Sequence, residues 1–584
     1  MKKDGISEQT TVENESSGPN SHADDSVMPS RPTRRKFLGH VGGITAATMA
    51  VGTMGLEPLF GSARTTALAE EIGPGNPTQR ENDAARIRHD AEQRNLELPI
   101  VNHPDNGDEQ RYPNRIGNFS KNLAHNPANG EVIPSAYNAF RNALEAGTYA
   151  AFESLASNGH FGCPDPARQR RLVNPLAGLA FDLEGKDSHK VHMAAPPAFA
   201  SGEEAAEMTE LYWMALLRDL PFRQYDTDVL ARAAADDLTR YPTNHYRGPR
   251  DSSGRVTPQL LFRDNLPGAT VGPYISQFLL QPADFGAQTI DMRIRTARAN
   301  RDYGTTFASW LDIQNGCQQG TTLLDGLRFI YNGRAIGQYV HVDALHQAYF
   351  ICALNMLNNG YPLNNSNPYT GAVAQEGFGT FGGPHILVLV TEVATRALQG
   401  QWFHKWFVHR RLRPEEFGGR VHVHLSNIEQ YPINRQLLTS PALDLVRART
   451  GNWLLPLAFA EGSPIHPSFG AGHATVAGAC VTILKALFDG TAVVTNPVMP
   501  SLDGRSLEPF VGPPLTVEGE LNKLASNVAT GRNIAGVHWR SDGVDSLKAG
   551  EEIAISILRD GRRRFAEPFG GFTFNRFDGQ TVNI

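Results

Sequence analysis

Apolar residues recur at helical intervals along most of this chain. In Glu203–Leu217 (EEAAEMTELYWMALL) they repeat every three to four positions among strong helix formers. Arg334–Leu357 reads the same way, and His473–Phe488 and Val544–Leu558 are further helices. The longest pattern is His385–Leu412, with Ile386, Leu389, Val390, Val393 and Ala397 on one face. Alternating Val/Ile/Thr runs are short and few, although His422 and His424 alternate as in a short strand. Leu354–Gly383 holds many Asn, Gly and Pro residues, including GFGTFGG, and reads as a long loop of the kind that often carries function. No repeat of fixed period is visible. The expectation is an all-α protein of one or two helical bundles, with long irregular connections and little β structure. Its helical domain is expected over 136–584, preceded by a polar stretch, 70–135, that wraps the surface.

Composition narrows the function. The chain has 584 residues, 40% hydrophobic and 20% charged, which is globular composition. Lys+Arg is 54 and Asp+Glu is 60, so the net charge is 54 − 60 = −6. An acidic chain is a poor general binder of nucleic acid, whose affinity comes from neutralising phosphates. No charge-free apolar stretch reaches the length of a membrane span, so no stable membrane anchor is expected. Cys163, Cys317, Cys352 and Cys480 form no CxxC pair and allow at most two disulfides, whose pairing the sequence leaves open.

The N-terminus reads as an address. A polar stretch leads to Thr33-Arg34-Arg35-Lys36-Phe37-Leu38, a mild apolar run to Gly55, and Ala67-Leu68-Ala69 before Glu70. This resembles a twin-arginine export signal cleaved after residue 69, which implies a periplasmic or secreted protein. The competing reading is a basic patch before a small-residue helix.

Three segments could hold an oxyanion. The first, Trp402 to Pro414, is a dense cationic run. If helical, it sets Lys405, His409 and Arg413 on one face with Trp402 beside them, and should end at Pro414. The second, His466-Pro467-Ser468-Phe469-Gly470-Ala471-Gly472-His473, puts two glycines before a helix start, where free N–H groups gather an anion. The third runs from Arg532 to Asp542. There Asp542 lies four residues after His538 and can hold its Nδ1–H, leaving Nε2 free as a ligand or nucleophile. Taken singly, each also reads as a solvated face, a turn or a capped core histidine. His341 and His346 lack the spacing of a metal triad and read as packing residues.

Together the segments resemble the vanadium-dependent haloperoxidases and the related type 2 phosphatidic acid phosphatases. The family pattern is Lys-x6-Arg-Pro, Pro-Ser-Gly-His and Ser-Arg-x5-His-x3-Asp. Here Arg532-x5-His538-x3-Asp542 matches with Gly531 in place of Ser, and Lys405-x7-Arg413-Pro414 is one residue longer. That spacing, and His466 seven residues before His473, are similar to the algal bromoperoxidases. The resemblance extends to 172–185, 205–220 and 326–345.

It implies a helical fold and a vanadate cofactor, with hydrogen peroxide, a halide and a small organic acceptor as partners. The activity implied is oxidation of halide, bromide or iodide preferred, to hypohalous acid. His538 would be the vanadium ligand, oriented by Asp542. Lys405, Arg413, Arg532 and the Gly472 N–H would hold the oxygens, with Trp402 and Ala471 beside them. His473 would be the general acid–base and His466 would place halide. A homo-oligomer follows by analogy. One departure is Ala471, where the family has a Ser that donates to an oxyanion oxygen; weaker vanadate binding follows. The rival functions are an acid phosphatase with His538 as nucleophile and a degenerate oxyanion-binding paralogue.

Overall fold

Helix-forming sequence dominates, and helices are what the chain builds. The computed structural model describes residues 75–584. The Arg34-Arg35 pattern, the apolar run and Ala67–Ala69 lie outside the described residues. Helix α1 (Pro77–Glu97) lies at the surface, and eight further helices, numbered on in chain order, position the site: α2 (Gly202–Leu217), α3 (Gly333–Tyr339), α4 (Gln347–Asn358), α5 (Gly383–Phe403), α6 (Pro414–Leu425), α7 (Gly472–Leu487), α8 (Val517–Ile534) and α9 (Arg540–Gly561). The strands described are short and pair as four antiparallel two-stranded ladders. The fold is all-α, as the sequence implied.

The core is centred on α7, which is buried on all sides, as a helix apolar around its whole circumference must be. It packs along α9, α5 and α8. Two glycines allow the closest of these approaches. A Cβ on Gly478 would stand 2.1 Å from the Leu547 carbonyl oxygen, and one on Gly550 would stand 1.9 Å from that of Thr475. The α7 and α9 backbones therefore touch, which brings the N-terminus of α7 beside that of α9.

Several local expectations need correction. Arg334–Leu357 is two helices, α3 and α4, separated at 340–346. His422 and His424 lie in α6, not in a strand; their alternation is accidental, since Arg420, Val421 and Val423 are buried around them. The long loop begins at Asn359, because α4 continues to Asn358. The stretch 70–135 wraps the surface only in part. Helix α1 buries no residue, yet Ile116 and the run from Asn118 to Leu123 are interior. That run is held by polar bonds the sequence pattern could not show: Phe119 N–H donates to the Arg410 carbonyl at 2.8 Å and Ser120 N–H to Glu416 at 2.8 Å. Cys163 and Cys317 form a disulfide, while Cys352 and Cys480 are free and buried.

Candidate functional site

The first segment departs from the helix expected of it. Helix α5 ends at Phe403, His404–His409 widen into a π-helical turn, and Arg410 turns the chain at φ 45°. Pro414 forbids helical backbone at Arg413, which is extended, and instead opens α6 as its first residue. Glu416 reaches back to accept the Arg413 N–H at 2.7 Å, closing a capping box. Lys405 and Arg413 thus meet because the chain reverses between them, not because they share a face. His409 leaves the set: its ring packs against His404 and Phe469.

In the second segment Ala471 is the N-cap of α7, and no side chain caps that first turn. The Ala471 N–H is taken by Ser546 Oγ at 2.9 Å. The Gly472 N–H begins the turn, where intrahelical acceptors are lacking. In the third, Arg532 lies in the last turn of α8, Gly536 turns the chain with φ 83°, and Trp539 caps α9. Asp542 is the third residue of α9. Its Oδ2 accepts both the Trp539 N–H at 3.1 Å and His538 Nδ1–H at 2.7 Å, so the helix cap itself fixes the carboxylate under the imidazole.

These parts converge. Arg413 Nη1 donates to His538 Nε2 at 3.0 Å and to the Val537 carbonyl at 2.7 Å; its Nε donates to the His466 carbonyl at 2.9 Å and Nη2 to His466 Nδ1 at 2.8 Å. Lys405 Nζ donates to the carbonyls of Pro467 at 2.8 Å and Ser468 at 2.9 Å, which leaves one ammonium proton over. The Trp402 ring lies 4.9 Å from that of His466 and 5.8 Å from Lys405 Nζ. Arg532 Nη1 donates to the Val340 carbonyl at 2.5 Å, while its Nε is buried without a partner.

Three buried cations therefore sit together, and leaving water lowers the pKa of each. Burial, then Arg413, holds Lys405 well below its usual range. Burial brings Arg413 down to about 9 and Arg532 to about 10. Burial, then Arg413, Lys405 and Arg532, pushes His538 well below the usual imidazole value, and His466 is lowered by burial with the same cations. His473 is lowered by burial, partly offset by the Asp343 carboxylate on its Nε2 at 3.0 Å. His538 and His466 are neutral at neutral pH, with the His538 Nε2 lone pair free of a proton. The carboxylates nearest the cations, Asp542, Asp343 and Glu461, are each hydrogen-bonded to a histidine, and their charge offsets only part of the cost of burying the cations. An orphaned Arg532 Nε, a spare Lys405 proton and an uncapped helix turn suit a multiply charged tetrahedral oxyanion.

Residues 446–567 match the family model of the VCPO second helical-bundle domain. The vanadium-dependent bromoperoxidase of Corallina pilulifera is 36% identical over an alignment covering 82% of this chain and 92% of that relative. The chain belongs to the vanadium-dependent bromoperoxidase family. The bromoperoxidase of Ascophyllum nodosum is 35% identical, covering 88% of this chain and 93% of its own. The homohexameric structure of the second vanadate-dependent bromoperoxidase of Ascophyllum nodosum superposes with a TM-score of 0.83 at 31% identity, covering 92% and 95% of the two chains.

Sequence reasoning missed the roles of four residues of this bromoperoxidase-family site: Asp343, Phe459, His341 and Arg411. Asp343 lies in the connection between α3 and α4. Phe459 stacks on His341 at 3.7 Å and receives the Arg532 guanidinium 5.6 Å from its ring centre. His341, read as a packing residue, also hydrogen-bonds Glu461 at 2.6 Å, so it forms part of the wall behind Arg532. Arg411 bridges Asp542 to α2. Each is tied into the site by a contact with a residue far along the chain, and no local spacing signals that contact.

Proposed function

We propose that this protein oxidises bromide or iodide with hydrogen peroxide in a vanadate-dependent reaction, giving hypohalous acid that halogenates small organic acceptors. The observation that carries this reading is the buried set Lys405, Arg413 and Arg532 around an unprotonated His538 Nε2 whose other nitrogen is locked on Asp542. Such a set fits vanadate: the imidazole is the ligand, and the cations and the Gly472 N–H hold the oxygens. Vanadate bound there supplies a Lewis acid that activates hydrogen peroxide without changing its own oxidation state.

The chain's own residues do the rest. Asp542 keeps the His538 proton on Nδ1. With the His473 Nε2–H on Asp343, its Nδ1 takes the proton that peroxide gives up and returns it to the departing oxygen. Arg413 sets the His466 ring through Nδ1, leaving its Nε2–H to meet halide beside the Trp402 ring.

Export through the twin-arginine route, with removal of residues 1–69, is part of the proposal. The Arg34-Arg35 pattern supports it, and so does the Cys163–Cys317 disulfide, a bond suited to an oxidising compartment. A homo-oligomer is proposed from the homohexameric Ascophyllum relative; light scattering on the purified protein reads it directly. For the activity, the metal-free protein is assayed for bromination of a phenol dye with bromide and peroxide, with and without orthovanadate, beside release of p-nitrophenol from its phosphate. Bromination that appears only with vanadate is the expected result. Phosphate ester hydrolysis without bromination would replace this reading with the phosphatase one.

A further inference from the structure

Arg411 plays no part in the reading above, yet it is a wholly buried guanidinium placed directly behind the His538–Asp542 pair. Its Nη1 donates to Asp542 Oδ1 at 2.9 Å and to Ser541 Oγ at 2.8 Å. Its Nη2 donates to Glu207 Oε2 at 3.0 Å and also to Glu204, both on α2. Glu207 in turn accepts the Ser541 N–H at 2.7 Å and its hydroxyl at 2.9 Å. The guanidinium plane lies 4.6 Å from the Trp539 ring centre, and Trp539 Nε1–H donates to the carbonyl of Leu412 at 3.0 Å.

Asp542 is thus held from two sides. Oδ2 takes the His538 and Trp539 protons, and Oδ1 takes Arg411. Its buried carboxylate has no other side-chain donor on Oδ1 among the described residues. Removing that donor leaves a lone oxygen out of water, and the carboxylate turns to find another. Turning moves Oδ2 away from His538 Nδ1, the contact that fixes which nitrogen carries the ring proton. A single ammonium cannot replace the planar fork, because Arg411 serves Asp542 and α2 with different arms of one rigid group.

We propose that Arg411 is a positioning residue: anchored on Glu204 and Glu207 of α2, it orients Asp542 and through it holds His538 in the Nδ1–H tautomer that presents Nε2 to the oxyanion. This rests on the reading of His538 as the oxyanion's ligand. The charges agree with it. Glu207 and Asp542 against Arg411 make a net negative shell behind His538, opposite the three cations in front of it, while burial pushes the Glu204 carboxyl well above its usual range. Residues of α2 thereby reach a site they never touch.

The test uses the metal-free full chain, labelled with 15N-histidine, and the variants Arg411→Met and Arg411→Lys, with His538→Gln to assign the His538 signals. The parent should show His538 as the Nδ1–H tautomer, and both variants a mixture of tautomers. Should Arg411→Met fail to fold, Arg411→Lys retains the charge and carries the test. In equilibrium dialysis, vanadate affinity should fall about tenfold in Arg411→Lys. Adding that change to Asp542→Asn should cost less than twofold more, since both act through one contact. An unchanged tautomer in Arg411→Lys overturns the proposal, as do losses that multiply in the double variant. The tautomer is read without vanadate, so a parent that takes up no vanadate sinks the proposed function while this result stands or falls separately.

Discussion

His538 and Ala471 are the residues on which the chemistry turns. His538 has an unprotonated Nε2 aimed among cations and a fixed Nδ1–H. His538→Ala should abolish vanadate-dependent bromination and weaken vanadate binding by more than about a hundredfold, beyond what loss of a supporting partner costs; dialysis and the dye assay read both. Ala471 puts a methyl where the family pattern has a hydroxyl donor. Hydrogen bonds to charged groups contribute about 1.5–3 kcal/mol. Ala471→Ser should therefore tighten vanadate binding by roughly ten- to a hundredfold, and a titration without gain would show that another donor already fills the position. At this scale much was legible: Arg532, His538 and Asp542 sit in one short stretch, and a four-residue interval around a helix start is enough to pair an imidazole with a carboxylate. Asp343 and Arg411 were not legible as partners, because what defines them is a contact hundreds or scores of residues away.

Among the elements, the helices were readable wherever an apolar stripe persists, as in α2, α7 and α9. The failure came at the end of α5. The apolar period through Ala397 predicts that the helix continues, but period says nothing about the π turn at His404–His409 or the reversal at Arg410. Pro414 was correctly read as incompatible with helix at Arg413; it starts α6 instead of only stopping the helix before it. The α7–α9 contact makes its own prediction. A methyl at residue 550 would collide with backbone, not with a side chain that could swing aside. Gly550→Ala should destabilise the protein by about 1–3 kcal/mol or more, the usual cost of overpacking. It should show as a lower urea midpoint, with bromination falling as the two helix N-termini move apart.

The whole molecule carries the cost of its unpaired cations. Lys405 and Arg413 titrate lower folded than unfolded, so the folded state binds fewer protons between those two values. Stability lost to the buried charges is thus fully missing below the folded pKa values and returns as pH rises through about 9 towards the unfolded values. A tetrahedral dianion relieves the same strain. Phosphate should raise the Tm of the metal-free protein by several degrees at about pH 7.5, and this gain should shrink as rising pH takes the proton from Lys405, whose pKa burial lowers. Scanning calorimetry at a series of pH values, with and without phosphate, checks it. A gain that stays constant to pH 10 would mean that phosphate binds elsewhere.

Cys163 and Cys317 lie 154 residues apart, and the covalent ring they close contains all of α2. A closure of that length contributes about 4–5 kcal/mol in the chain-entropy account. Twin-arginine translocation accepts cargo that has already folded, whereas the cytoplasm keeps thiols reduced. If the Arg34-Arg35 segment directs this protein along that route, the dithiol form must stand up unaided before departure, and the clasp can only fasten after arrival. Protein purified under reductant should accordingly give the same circular dichroism spectrum as the oxidised form, yet unfold at a lower temperature. Durability would then be acquired in the same compartment where the enzyme works.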